Sequence, residues 1–172
     1  HLPFVETETL LEEDLYRSPG TPYRYGFKHE VDFSPENSGV WEATKDGGIL
    51  WQIAFKSENA YAISFEYEEF NLPEGSELYI YNTDYKMIYG AYTHLNNSES
   101  QRFSTPLIKG DIAIIEYYQP ANIEGNFSLV ITEIIHDYRD IMNFINNGRD
   151  WECGINVICE EDPRYQGPIN SV

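Results

Sequence analysis

Residues 40–56 read VWEATKDGGILWQIAFK, and this stretch decides the fold class. Apolar and polar side chains alternate on both sides of Asp46-Gly47-Gly48, which is the period-two pattern of β-strands. The two glycines allow the positive φ angles of a tight hairpin turn. The segment therefore predicts two antiparallel strands, with Trp51, Ile53 and Phe55 sharing one buried face.

Similar strand-like runs recur along the rest of the chain. They are rich in Ile, Phe, Tyr and Thr, and turn compositions such as Leu72-Pro73-Glu74-Gly75 separate them. Ile63, Phe65 and Tyr67 form a second predicted core row. The eight or nine short strands, without an intervening helix, predict an all-β fold, an antiparallel and jelly-roll-like β-sandwich. Besides the hairpin, the predicted strands are 29–33, 61–70, 77–82, 87–92, 112–118 and 127–136, with a weak one near Arg102.

The two ends of the chain differ in residue pattern from this β-rich middle. Residues 1–22 are predicted to be a leader with one or two helical turns around Leu10, Leu11 and Leu15, docked loosely at best. The sandwich takes residues 23–139. Residues 140–152, which contain a turn-rich break, are predicted to be a linker, and a different piece of structure begins at residue 153.

The charge balance limits the partners of the chain. Lys and Arg number 11 against 29 Asp and Glu, which gives a formal net charge of -18. Nucleic acid and anionic membrane surfaces bind clustered Lys and Arg, so we expect neither as a partner. The sequence starts at His1 rather than Met, and we expect any secretory signal to have been removed or left out.

No convincing catalytic constellation is present, and no catalytic residue is predicted. None of the four histidines has the neighbours of a general base, and a surface hydrogen bond with Asp137 is the favoured role of His136. Glu66, Glu68 and Glu116 are the carboxylates that would suit hydrolysis of a glycosidic bond. A solvated acidic face is the favoured interpretation of these three residues.

No metal or cofactor is predicted either. Bound calcium is the alternative, since four aspartates at turns carry suitable oxygen ligands but match no EF-hand loop. Zinc is disfavoured because five residues lie between the two cysteines, more than in a zinc knuckle, and no further ligands are nearby. The four aspartates are Asp32, Asp46, Asp84 and Asp111.

Tyrosines are unusually frequent, 14 in all, and several crowd one stretch. Exposed aromatic rings could stack on sugar rings. Tyrosine also suits a half-buried pleated surface with its hydroxyl at the rim, and this second interpretation is favoured. The crowded positions are Tyr79, Tyr81, Tyr85, Tyr89 and Tyr92.

Cys153 and Cys159 stand in the sequence CGINVIC near the end of the chain. The four residues at 155–158 favour an extended backbone, which at ~3.3 Å per residue would hold the two Cα atoms beyond the ~7 Å limit of a disulfide. We therefore expect each cysteine to pair with a partner outside this chain. A strained local bridge is the alternative.

A series of short motifs follows a distinctive order along the chain. The motifs are Gly39-Val40-Trp41, Trp51-Gln52-Ile53, Ile63-Ser64-Phe65, Phe70-Asn71-Leu72-Pro73-Glu74-Gly75, Leu78-Tyr79-Ile80-Tyr81, Gly90-Ala91-Tyr92-Thr93, Thr105-Pro106, Gly110-Asp111, Ile115-Glu116-Tyr117-Tyr118-Gln119-Pro120 and His136-Asp137-Tyr138-Arg139. After them comes CGINVIC at 153–159, followed by an acidic turn and INSV at 169–172. The motif series resembles the N-terminal pro-region of secreted bacterial lysyl endopeptidases, which are trypsin-like serine proteases. The CGINVIC segment resembles the opening of the mature protease.

The resemblance implies a non-catalytic pro-domain of a secreted or periplasmic bacterial precursor. Such a domain assists folding of the downstream catalytic domain, its partner, and holds it inactive. Residues 153–172 would be the start of the mature enzyme, whose catalytic residues lie beyond Val172, and Arg149 would be the processing site. The alternative function is an accessory β-sandwich that binds glycan or protein surfaces through the tyrosine-rich stretch.

Overall fold

A computed structural model describes residues 1–125 and 127–146 of the chain. Contacts divide the chain into the units His1–Met142 and Asn143–Val172, and only residues 143–146 of the second unit are among those described. In chain order the elements are α1 (Thr7–Leu15), β1 (Gly26–Phe33), β2 (Val40–Ala43), β3 (Ile49–Lys56), β4 (Ala62–Asn71), β5 (Glu77–Asn82), β6 (Ile88–Tyr92), a 3₁₀ helix (His94–Asn96), β7 (Phe103–Ser104), β8 (Ile108–Lys109), β9 (Ile112–Gln119), β10 (Ser128–Asp137) and α2 (Ile141–Asn146).

The strands form two antiparallel sheets of five strands each. Sheet one has the order β1-β10-β4-β7, with β8 also paired to β4, and sheet two has the order β2-β3-β9-β5-β6. The chain alternates between the sheets, and β7 and β8 together occupy one edge of β4. With β2 set aside and β7 and β8 counted as one edge strand, this is the eight-strand order of a jelly roll, so the predicted fold class is confirmed.

The predicted hairpin is present at β2 and β3. The Thr44 nitrogen donates to the Gly48 oxygen at 2.9 Å, and Gly47 takes a φ of +84° in the turn. Glycine meets this requirement without the steric cost that a side chain would add. The turn sets the register that places Trp41 opposite Trp51.

The core lies between the two sheets, where alternate side chains of each strand meet. Trp51 is completely buried and its Nε1 donates to the Ser38 oxygen at 2.9 Å, so its polar atom is satisfied. Each large apolar side chain buried here stabilises the fold by about 2–3 kcal/mol. Both predicted core rows are confirmed, since the buried cluster includes Trp51, Phe55, Ile63, Phe65 and Tyr67, with Ile53 packed against it.

The leader is docked, and the expectation of loose docking is wrong. The helical turns were predicted where α1 lies, but the segment before it also binds the sandwich. The Leu2 nitrogen donates to the Lys56 oxygen at 2.9 Å, and Val5 is buried. The side chain of Asp14, near the end of α1, is only 6% exposed. Hydrogen bonds and one buried apolar contact therefore hold residues that hydropathy alone could not place.

Candidate functional site

The outer face of sheet two carries a shallow cleft of about 340 Å³, here called the tyrosine cleft. It lies over the middle strands β9 and β5. A neighbouring cleft of about 440 Å³ extends it across β3 toward β2. The tyrosine cleft is lined by Gln52, Tyr79, Tyr81, Tyr85, Ile88 and Glu116.

Strand register brings the polar residues of this cleft together. Gln52 of β3, Glu116 of β9 and Tyr79 of β5 lie side by side across three strands. Neighbouring positions on these strands, such as Ile115, are buried in the core. Because side chains alternate along a strand, Glu116 faces outward. The cleft thus depends on pairing between strands that are distant in sequence.

Glu116 is the centre of a hydrogen-bond network. Its Oε2 atom accepts from Gln52 Nε2 at 2.5 Å and from the Tyr81 hydroxyl at 2.8 Å. Burial raises the pKa of Tyr81, and its hydrogen bond to Glu116 raises that pKa further. Tyr81 therefore stays protonated and donates to the carboxylate at neutral pH.

The turn between β5 and β6 holds Tyr85 over the cleft. Asn82 Oδ1 accepts from the Met87 nitrogen at 3.1 Å and the Tyr85 nitrogen donates to the Asn82 oxygen at 3.1 Å. Tyr85 has a φ of +56°, a conformation that is uncommon for a residue other than glycine. Its ring stacks on Tyr81 with centroids 5.0 Å apart, yet the residue is 63% exposed. One face of the Tyr85 ring is thus presented to solvent.

The tyrosine-rich stretch that the sequence singled out is divided by the fold. Tyr79, Tyr81 and Tyr85 line the cleft. Tyr89 and Tyr92 instead pack against the hydrophobic core. Part of the stretch therefore suits the interpretation as an aromatic surface for sugar rings, and the rest suits the interpretation as half-buried strand residues.

The three glutamates proposed for glycosidic hydrolysis do not come together. Glu66 and Glu68 face outward from sheet one, where Glu66 accepts a hydrogen bond from Ser104 and Glu68 pairs with Arg102 at 3.2 Å. Glu116 faces outward from sheet two. The sandwich separates Glu116 from the other two, so the three glutamates do not share one site.

The four aspartates named as calcium ligands do not form a metal site. Asp46 accepts from Thr44 and Tyr118, and Asp84 pairs with Lys86 at 3.0 Å. Within residues 1–125 and 127–146, no group of three or more His, Cys, Asp or Glu side chains is placed to hold a metal ion.

His136 is buried, and the expectation of a surface hydrogen bond with Asp137 is wrong. Its Nδ1 lies 2.7 Å from the Ser57 hydroxyl, and both residues are fully buried. His29 packs against it with ring centroids 6.4 Å apart. Burial, with His29 nearby, lowers the pKa of His136 to about 4. The Ser–His contact is closed to solvent and acts as a core hydrogen bond.

Sequence reasoning missed a second polar cluster, here called the exit cluster, at the end of β10. Asp14 of α1 accepts from Arg24 Nε at 2.8 Å, from the Tyr138 hydroxyl at 2.7 Å and from Arg139 Nη2 at 2.6 Å. Asp137 accepts from the backbone nitrogen of Arg139 at 2.8 Å. The cluster fixes the direction in which the chain leaves the sandwich.

The remaining predicted site residues, Arg149, Cys153 and Cys159, lie outside the described residues. Their proposed roles stay predictions.

Among the described residues, no helix is long and apolar enough to cross a membrane. No protein-family model and no solved structure matches the chain.

Proposed function

We propose that residues 23–139 form the non-catalytic pro-domain of a secreted, trypsin-like serine endopeptidase of the lysyl endopeptidase type. The pro-domain would assist folding of the catalytic domain that follows it and hold that domain inactive. Residues 153–172 would then belong to the mature enzyme, and residues 140–152 would be the linker region within which the precursor is cut.

One observation carries this proposal. The motifs that resemble the pro-regions fall on strands and turns of one sandwich, and the last of them ends at the exit cluster. Trp51-Gln52-Ile53 lies in β3, Ile63-Ser64-Phe65 in β4 and His136-Asp137 at the end of β10. The protease-like CGINVIC segment follows this point in the sequence. A folded module directly before the start of an enzyme is the arrangement that a zymogen requires.

The exit cluster gives the proposal a mechanism. Arg139 is bonded to Asp14, and the Ile141 nitrogen donates to Asp137 Oδ2 at 3.1 Å, so the linker starts from a fixed point. A rigid sandwich presents a preformed surface to its partner and loses little conformational entropy on binding. The linker could then pass near the substrate cleft or keep the new N-terminus from its mature position.

Processing of the secreted precursor tests the proposal. N-terminal sequencing of the mature enzyme should find a chain that begins at Asp150, directly after Arg149. Arg149→Gln should leave the precursor uncleaved there, and Arg149→Lys should restore cleavage if the parent enzyme accepts lysine. A mature chain that begins elsewhere rejects Arg149, and a gene with no serine protease domain after Val172 overturns the proposal.

The accessory-module alternative rests on the exposed ring of Tyr85. Such a module would remain attached to the mature enzyme and bind polysaccharide. Saturable binding of the chain to a polysaccharide, with no effect on protease activity or refolding, would favour this alternative over the pro-domain.

A further inference from the structure

The two outer faces of the sandwich differ in how their carboxylates are paired. On sheet one, Glu133 pairs with Lys28 at 2.5 Å and Glu68 pairs with Arg102 at 3.2 Å. On sheet two, Glu116 is bonded to a glutamine and a tyrosine, which are neutral. Two glutamates of sheet one are therefore paired with cations, whereas Glu116 in the tyrosine cleft is hydrogen-bonded to neutral groups.

The registers of sheet two show which charges share its outer face with Glu116. The three rows of outward positions around the clefts contain three glutamates and no lysine or arginine. Lys56, at the end of β3 and opposite Ile112, shares the outward alternation and lies 3.9 Å from Asp111. Among the described residues, neither of the two clefts on this face is lined by a cation. The rows are Glu42, Leu50, Tyr118 and Glu77; Val40, Gln52, Glu116 and Tyr79; and Ala54, Ile114, Tyr81 and Ile88.

Apolar side chains are exposed on this same face. Val40 is 62% exposed and Ile88 is 53% exposed, and Tyr85 lines both clefts. Outward-facing positions of a sandwich are normally polar. Exposed apolar area on an otherwise polar face is typical of a surface that contacts another protein.

We propose that the outer face of sheet two is the surface that contacts the catalytic domain, and that a lysine or arginine side chain of that domain enters the tyrosine cleft. This inference rests on the proposed function for the identity of the partner. The cation would pair with Glu116 and lie against the Tyr85 ring, which combines a charge-assisted hydrogen bond with a cation–π contact.

Charge favours a basic side chain over a sugar in this cleft. Glu42, Glu77 and Glu116 attract a cation, and the net charge of -18 adds long-range attraction for a basic surface. A neutral sugar gains nothing from this potential.

The test uses a simple probe rather than the protease. The full chain is titrated with a hexa-arginine peptide and, separately, with cellohexaose, and amide chemical shifts are followed by NMR in 150 mM NaCl. We expect peptide-induced shifts centred on Gln52, Tyr81, Tyr85 and Glu116. Glu116→Gln should weaken peptide binding about tenfold, which corresponds to loss of one charged hydrogen bond.

Matched variants separate the cleft from general attraction to an acidic protein. Glu30→Gln on β1 removes the same charge from sheet one, and Tyr61→Ala removes a comparably exposed ring. We expect these controls to change the dissociation constant less than twofold, whereas Tyr85→Ala weakens binding severalfold without unfolding the chain.

Two outcomes would overturn the inference: equal weakening by Glu116→Gln and Glu30→Gln, or localised binding of cellohexaose instead of the peptide. Because the probe is a peptide, the result is independent of the proposed function. If the cleft binds the peptide but no protease domain follows in the precursor, the cation site stands and the catalytic domain is rejected as its partner.

Discussion

Asp14 Oδ2 accepts a hydrogen bond of 2.6 Å from Arg139 Nη2, although 125 residues separate the two along the chain. The other carboxylate oxygen accepts from Arg24 Nε at 2.8 Å. One side chain of α1 thus ties the leader to the end of β10. With 6% of its side chain exposed, this carboxylate is better shielded from water than a surface ion pair.

We expect Asp14→Asn to destabilise the fold by about 2 kcal/mol, because it leaves two arginines without their carboxylate. Glu13→Gln is the matched control, since Glu13 pairs with Arg24 but its side chain is 56% exposed. It should cost less than about 0.5 kcal/mol. Urea denaturation of the full chain measures both, and equal effects would contradict the shielded role of Asp14.

The same carboxylate predicts an effect at low pH. Burial would raise the pKa of Asp14, but hydrogen bonds from Arg139, Tyr138 and Arg24 outweigh it and lower the pKa to about 2. Since the ordinary value is 3.8, this contribution is present above pH 4 and is lost as the pH falls toward 2. In the Asp14→Asn variant, the free energy of unfolding should fall less between pH 4 and pH 2 than it does in the original chain.

The buried histidines predict a second loss of stability at a higher pH. Burial lowers the pKa of His136 from 6.5 to about 4, so between these pH values the unfolded chain binds a proton that the folded chain does not bind. Stability is therefore complete above pH 6.5 and falls by about 3 kcal/mol between pH 6.5 and pH 4. Burial also lowers the pKa of His29, which adds to the loss.

Histidine C2-proton titration by NMR and urea unfolding at several pH values check this second prediction. The His136 signal should titrate well below pH 6. A His136 midpoint at or above 6.5, or stability that is flat from pH 7 to pH 4.5, would show that the pair is not shielded in solution.

A buried hydroxyl in the core offers a stabilising substitution. The Tyr67 hydroxyl is buried and has no hydrogen-bond partner within residues 1–125 and 127–146, so Tyr67→Phe should stabilise the chain by up to about 1 kcal/mol. The Tyr117 hydroxyl donates to Gln119 Oε1 at 2.7 Å, and Tyr117→Phe should instead destabilise by about 1 kcal/mol. Thermal unfolding compares the two, and a shift of the same sign in both would reject the distinction.

Local patterns in the sequence predicted most of the fold. Alternation around Asp46-Gly47-Gly48 placed the hairpin and the Trp51 row, because both depend only on neighbours along one strand. The two-residue strand β8 was missed, since two residues carry no periodicity. It lies outside the predicted strands, between those at 87–92 and 112–118.

The polar sites could not be predicted because they depend on distant pairing. Alternation places Tyr79 and Tyr81 on one face, but only the order β3-β9-β5 brings Glu116 between Gln52 and Tyr79. Asp14 gave no signal, since an acidic residue in a short helix looks like any solvated charge. The residues next to His136 in the sequence do not reveal that its side chain is buried.

Salt should weaken the proposed interaction with the catalytic domain. An acidic face that meets a basic partner is screened as ionic strength rises, because the Debye length falls from ~10 Å at 0.1 M to ~3 Å at 1 M. Inhibition of the endopeptidase by this chain should therefore require more chain at 0.5 M NaCl than at 0.05 M. An inhibition constant that does not change with salt would remove electrostatics from the mechanism.

The pro-domain assignment is tested most directly by titrating the endopeptidase of the same precursor with the purified 172-residue chain. Cleavage of a small chromogenic lysine substrate reports activity, and electrophoresis checks that the chain stays intact. We predict saturable, stoichiometric loss of activity. Full activity in the presence of an excess of intact, folded chain would contradict the assignment.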